Sequence, residues 1–326
     1  MIFLSISNAA TVLGDGLRTQ EQDSNKTHYI TTREWRTVAL ILMTYSLFGV
    51  ASALIYTASP IIAFALMVIS MVLHSSLTHE ALHGHPSQNA FINALLVFPS
   101  LSFHVPYLRF KDTHLAHHLD ENLTDPFDDP ETNFLDPQVW VHLSRSARLL
   151  LRINNTLLGR IIIGPMIGQL VFFRHDLKSI WRGNRRVALG WLLHIPAAGM
   201  VIWWLFEMTS VPFWVFLVAS YLALGILKIR TFAEHRAHEK ARARSIIVQR
   251  RGLLSFLFLN NSFHAVHHAH PHVAWYDLPS LYWSKREYFE AKNEGYVVSS
   301  YMELVWMYFL RMKDPVPHPL WSRNKD

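Results

Sequence analysis

The chain has 326 residues, 51% of them hydrophobic and only 17% charged, with a net charge of +6, 20 histidines and no cysteine. Without cysteine there is no disulfide, thiolate metal site, iron–sulfur cluster or cysteine nucleophile, so any bound metal must draw on histidine nitrogen. The charge deficit lies in long uncharged runs, which point to a membrane protein. The basic residues cluster beside those runs, a pattern that fits anionic lipid headgroups rather than nucleic acid.

In chain order, residues 1–30 read as a polar arm. Its opening, MIFLSISNAATVLGDG, lacks the basic start of a cleaved signal. Four later runs reach the roughly 20 apolar residues that a bilayer crossing needs. The first is Trp35 to Tyr56, and the second starts at Pro60 after a very short turn and continues to Leu77. The third is Val187 to Phe206 and the fourth Pro212 to Leu227. They are apolar on all faces, unlike the amphipathic helices of a soluble protein.

Three shorter runs are interrupted or amphipathic. Phe91–Phe103 contains Pro99, and Leu157–Phe173 contains Gly159, Gly164, Pro165 and Gly168. Tyr296–Leu310 is aromatic. All three read as interfacial or re-entrant segments, although Leu157–Phe173 could be a further short span. The turns near Thr57–Pro60 and Met208–Val211 carry no Lys or Arg. The opposite ends carry Arg174, Lys178, Arg182, Arg185 and Arg186, then Lys228, Arg230, Arg236, Lys240, Arg242 and Arg244. Positive charge marks the cytoplasmic side, so both termini fall there. The expected fold is an all-α integral membrane protein with four transmembrane helices in two hairpins. Interfacial helices and a cytoplasmic, histidine-rich di-metal cap complete it, with residues 31–326 forming one domain.

Three histidine groups stand out: His79-Glu-Ala-Leu-His83, His114-Leu-Ala-His117-His118 and His264-Ala-Val-His267-His268. The first contains H-E-x-x-H, a zinc protease signature. With 20 histidines in 326 residues, composition alone predicts roughly one H-x3-H but only about 0.07 copies of H-x2-H-H. Two copies of the second pattern are therefore the informative feature. Residues at i, i+3 and i+4 share one helix face, so each group is expected to aim its imidazoles at one point. The topology puts all eight histidines on one membrane side, with His235 just past the fourth span as a ninth candidate. Nine imidazoles exceed what one ion takes, and two ions at four or five ligands each use the set. Breaking an unactivated C–H bond needs an oxidant that redox-silent zinc cannot supply.

These boxes, interleaved with two hairpins, closely resemble the membrane fatty acid desaturase family over about Trp35 to Pro279. The acidic stretch Thr124–Glu131 and the run Pro271–Pro279 resemble it too. Within the family the chain is most similar to bacterial acyl desaturases. The resemblance implies a non-haem di-iron enzyme that uses O2 to desaturate an acyl chain. His79, His83, His114, His117, His118, His264, His267 and His268 would be iron ligands, with His235 matching the family's extra ligand. It also implies location in a membrane, here a bacterial inner membrane. Neither terminus shows room for a fused redox domain or a G-x-G-x-x-G motif, so electrons are expected from a separate ferredoxin-like or flavoprotein donor.

Glu80 stands where aspartate is frequent in the family and is expected to orient an imidazole or to sit on the helix surface. Asn261 is expected to position a water or an imidazole, or to cap a helix. His85, His270 and His272 exceed the core pattern and are expected at the surface or, alternatively, behind the ligand imidazoles as their supports. Asp125, Asp128, Asp129 and Glu131 read as a solvated acidic loop; the alternatives are orienting the second box or docking a basic donor face. Lipid or carotenoid hydroxylases and ketolases share this histidine architecture and form the alternative reading. A zinc protease would need a further ligand motif on a later span, which is not found. A metal- or lipid-binding protein without catalysis is the remaining option.

Overall fold

The computed structural model describes residues 34–321; the polar arm expected at 1–30 lies outside them. The described chain is mostly helical with almost no strand, and four helices are long and apolar enough to cross a membrane: Trp35–Ala58, Pro60–Leu82, Arg185–Met208 and Phe213–Ala233. Their outward faces are apolar, with Leu54, Ile61, Leu192, Ile195, Trp203 and Phe206 all exposed. In water such faces would aggregate; in hydrocarbon they are solvated. The first two spans turn on Ser59 alone, which is extended (φ −148°, ψ 87°), and Pro60 opens the next helix. A residue before proline is pushed out of the helical region, while proline fits a helix's first turn.

The second span is the centre of the bundle and packs against both the first and the fourth. It runs five residues past the predicted end, to Leu82, and its last stretch is polar and buried: Ser76, Thr78, His79 and Glu80. Hydropathy underestimates such a helix because polar side chains facing the bundle interior look like a loop. Gly84, at φ 101°, ends the run, a left-handed stop that glycine adopts without steric cost.

The interrupted run at 157–173 is two helices, Leu157–Ile162 and Gly164–Trp181, and neither qualifies as a span. Gly225 of the fourth span faces this break: a Cβ there would lie 2.7 Å from Ile161 O. The aromatic run near the C-terminus is not helical throughout. Val297–Val298 pairs in parallel with Ile247–Val248, and the helix covers only Tyr301–Tyr308.

The segment after the short Ala90–Leu96 helix enters the bundle without regular structure. Lipid offers its backbone no partners, so protein must. Every span contributes one. Tyr45 OH donates to Pro99 O (3.0 Å) and His74 to Val97 O (3.2 Å). His194 donates to Phe103 O (2.8 Å) and Ser220 to Ser102 O (2.8 Å). Gln169 donates to His104 O (2.6 Å) from the Gly164–Trp181 helix. The four spans are thereby fixed to one loop. Ser220→Ala, which strands a buried carbonyl, is expected to cost about 1–3 kcal/mol, read as a lower melting temperature in detergent; an unchanged midpoint would contradict this account.

The Tyr107–His117 helix, which carries the second histidine box, is anchored by Arg109. Its guanidinium donates twice to Asp176 (2.8 and 2.8 Å), and Trp191 Nε1 donates to the same carboxylate (2.9 Å). Arg109 and Asp176 are both buried.

Candidate metal centre

All nine predicted histidines converge at one end of the bundle, in two groups. His79, His83, His114, His118 and His267 form one, and His117, His235, His264 and His268 the other. In each group the potential ligand atoms lie within 4.8 Å of one another, so each could hold a metal ion. The boxes do not each aim at one point, as the sequence suggested. Box one sends His79 and His83 to the first group. Box two sends His114 and His118 to the first and His117 to the second. Box three reverses this, with His267 in the first and His264 and His268 in the second. Helix geometry gives the reason. Residues i and i+4 lie about 40° apart around the axis, while adjacent residues lie about 100° apart. His117 and His118 therefore cannot face the same point.

The contacts run between Nε2 atoms. In the first group His114 lies 3.1 Å from His83 and 3.0 Å from His118, and His118 lies 3.2 Å from His267. His79 Nε2 is buried with no hydrogen-bond partner. In the second group His235 lies 2.9 Å from His117 and 3.0 Å from His264, and His264 lies 3.1 Å from His268. The far sides of several rings are held by acceptors. His117 Nδ1 donates to Asp129 Oδ1 (2.7 Å) and His114 Nδ1 to Glu131 Oε1 (3.0 Å). His264 Nδ1 donates to Asn261 Oδ1 (3.0 Å), and His235 Nδ1 lies 3.2 Å from Ser245 Oγ. A neutral imidazole that donates through Nδ1 presents a bare lone pair at Nε2. A shared proton can satisfy one such contact; the rest set lone pair against lone pair, which a cation between them relieves.

The spacing matches one. Two imidazoles bound at about 2.1 Å have nitrogens about 3.0 Å apart at a right angle and about 3.4 Å apart at the tetrahedral angle. The family model for fatty acid desaturases matches residues 51–300, which include every one of the nine histidines. The chain belongs to the fatty acid desaturase family. It is thus an oxidoreductase of a family that uses metal, built on membrane-capable helices. No curated protein matches the chain.

Acidic groups around this desaturase-family site favour positive charge within it. Burial lowers the His117 pKa, but Glu131, Asp129 and Glu234 together outweigh it and raise it to about 9. Burial would raise Glu131, yet His114 and His117 hold it well below the usual carboxylate range. Burial, then the neighbouring imidazoles, keeps His83, His118, His235, His264, His267 and His268 well below the ordinary histidine value, so these rings are neutral donors. The field that favours a proton on His117 also favours a metal cation. Asp129→Asn weakens that field and the grip on the ring. It is expected to lower metal affinity of the second group 10- to 100-fold, about the usual effect of an outer partner, as measured by competition with a chelator; unaltered affinity would remove Asp129 from this role.

The acidic loop is therefore not simply solvated: Asp129 is 3% exposed, and with Glu131 it holds the second box. Asp125 instead caps its own turn through Phe127 N and Asp128 N. Asn261 orients an imidazole and does not cap the His264–Ala269 helix, whose N-cap is Phe263; its amide also donates to Glu234 Oε1 (3.3 Å). Glu80 lies 3.7 Å from His79 Nδ1, too far for a hydrogen bond. Its other oxygen accepts the Trp275 N–H (3.1 Å), tying the 271–279 loop to the second span. His270 and His272 are exposed, but His85 is 4% exposed and lies 2.6 Å from Glu34 Oε1. Burial works against charge on His85, but the bond to Glu34 and the charge of Glu80 outweigh it and raise its pKa. Glu234 went unread in the sequence. It forms an ion pair with Arg230 (3.0 Å) and lies 3.5 Å from His264 Nδ1; an acid beside a histidine carries no distinctive spacing.

Proposed function

We propose that the protein desaturates an acyl chain with O2 at a pair of iron ions, drawing its electrons from a separate donor. The observation that carries this is the division of nine imidazoles into a five and a four, with Nε2 atoms converging, at the end of four apolar spans. His79, His83, His114, His118 and His267 would hold one ion, and His117, His235, His264 and His268 the other. Redox-silent zinc would not supply the oxidant that an unactivated C–H bond requires, so the reading takes both ions to be iron. When bound, two such ions supply the redox capacity to reduce O2 and remove hydrogen from an unactivated carbon.

The chain's own residues prepare that chemistry. Asp129, Glu131 and Asn261 fix ring tautomer and direction at His117, His114 and His264, so that these three imidazoles offer Nε2 inward. Glu234, paired with Arg230, supports Asn261 and faces His264. Glu80 fixes the loop after the third box against the second span. Phe110 packs against His79 and His114, with ring centroids 6.4 and 5.5 Å away. In overall balance the acyl chain gives up two hydrogens, and O2 with two external electrons and two protons becomes two waters. We place the histidine end on the cytoplasmic side of a bacterial inner membrane, where the basic side chains cluster.

The test is expression in a host of defined lipid content, with mass spectrometry of all lipids and metal analysis of the same active sample. Loss of two hydrogens from an acyl chain supports the reading. Gain of one oxygen would make the protein a hydroxylase, and active protein holding zinc without iron would sink the di-iron assignment.

A further inference from the structure

A recess of about 40 Å3 lies between the 241–245 turn, the His264–Ala269 helix and the Arg286–Lys292 helix, and His268 is part of its lining. Ala265 and Ala269 line it beside His268. The rim carries Arg242, Lys292 and the exposed Tyr288. Nearby Lys240 is paired with Glu294 and Arg286 with Glu290. Arg242 and Lys292 make no ion pair among the described residues, and Lys292 Nζ sits 5.5 Å from the centre of the Tyr288 ring.

We propose that this recess is where an acidic, one-electron-carrying protein docks, with His268 as the point of electron entry. The inference rests on the reading above, in which reducing equivalents come from outside. Two cations that make no ion pair among the described residues, on a recess lined also by the exposed Tyr288 ring, give a partner both steering and an anchor. The size of the recess excludes the competing occupant. It holds about two or three waters, so no acyl chain reaches the metals through it, whereas an electron needs no opening. Each docking event delivers one electron from the reduced carrier. Two events, with two protons, complete the reduction of O2 to two waters as the acyl chain loses two hydrogens.

The experiment uses the full chain in lipid nanodiscs, driven either by an acidic [2Fe–2S] ferredoxin with its reductase or by reduced methyl viologen. In the double variant R242E/K292E the KM for ferredoxin is expected to rise at least about tenfold, since like charges now face each other. Methyl viologen turnover stays within about twofold and serves as the check on folding. R242K/K292R keeps the ferredoxin KM, and added salt weakens the wild type more than the reversed variant. A ferredoxin KM unmoved by charge reversal overturns the proposal. So does a raised KM for the acyl substrate alone, which would make the patch a carrier-protein site. A wild type inactive with both reductants overturns the functional reading beneath it and the docking site with it.

Discussion

Replacing His235 with alanine is expected to abolish product formation and to empty the second metal position while leaving the first filled. His235 contacts both His117 and His264 through Nε2 (2.9 and 3.0 Å), so its loss leaves three imidazoles without the member that joins them. Its backbone is held from outside the group: it bridges Ser245, and Lys313 Nζ donates to its carbonyl. The backbone at 235 is thus held in place, and alanine there leaves the position of its imidazole unfilled. Outer partners alone are worth about 10- to 100-fold, so deleting a ligand should lower turnover by more than about 100-fold. Metal content should fall from two ions per chain toward one, measured with lipid product on the same purified sample. His142→Ala, at an exposed position away from the cluster, is the control. Two ions and full turnover in H235A would remove His235 from the ligand set.

The second large effect lies away from the metal centre. Asp176→Ala strands the Arg109 guanidinium in a buried site and takes the acceptor from Trp191 Nε1. Breaking a buried pair from one side costs about 3–5 kcal/mol, whereas replacing both partners with apolar groups is often neutral. The double variant R109M/D176L should therefore be more stable than D176A. Because Arg109 is one turn and a half before His114 on the same helix, D176A should also lose metal before it unfolds, as the second box is no longer held against the bundle. Thermal unfolding in detergent, followed in parallel with metal release, measures both. Equal melting points for the single and double variants would show that the pair is not what anchors the helix.

Much of the architecture is legible in the sequence because it depends on local quantities. Span length and apolarity mark four membrane-capable helices, and Ser59–Pro60 shows where the first hairpin turns. The spacing of His114, His117 and His118, repeated at His264, His267 and His268, identifies the metal-directed side chains, since chance rarely produces it twice. Helix periodicity even contains their division between two points, because adjacent residues diverge by about 100°, but the sequence alone does not say where the second point lies.

That was decided by tertiary structure. The first group needs the end of the second span, the Tyr107–His117 helix and His267 to meet. The second needs the fourth span to deliver His235 and Glu234 to the third box. Asp129 and Asp125 look alike in a run of acids; only the fold buries one against His117 and leaves the other capping a turn. His85 has no sequence feature to separate it from exposed His270, yet the second span returns to the start of the first, where Glu34 lies beside the buried His85. Side-chain type and helical spacing are properties of neighbours along the chain, so the sequence determined what could bind metal. Burial and the partner of each ring are properties of neighbours in space, and packing alone determined which carboxylate holds which histidine.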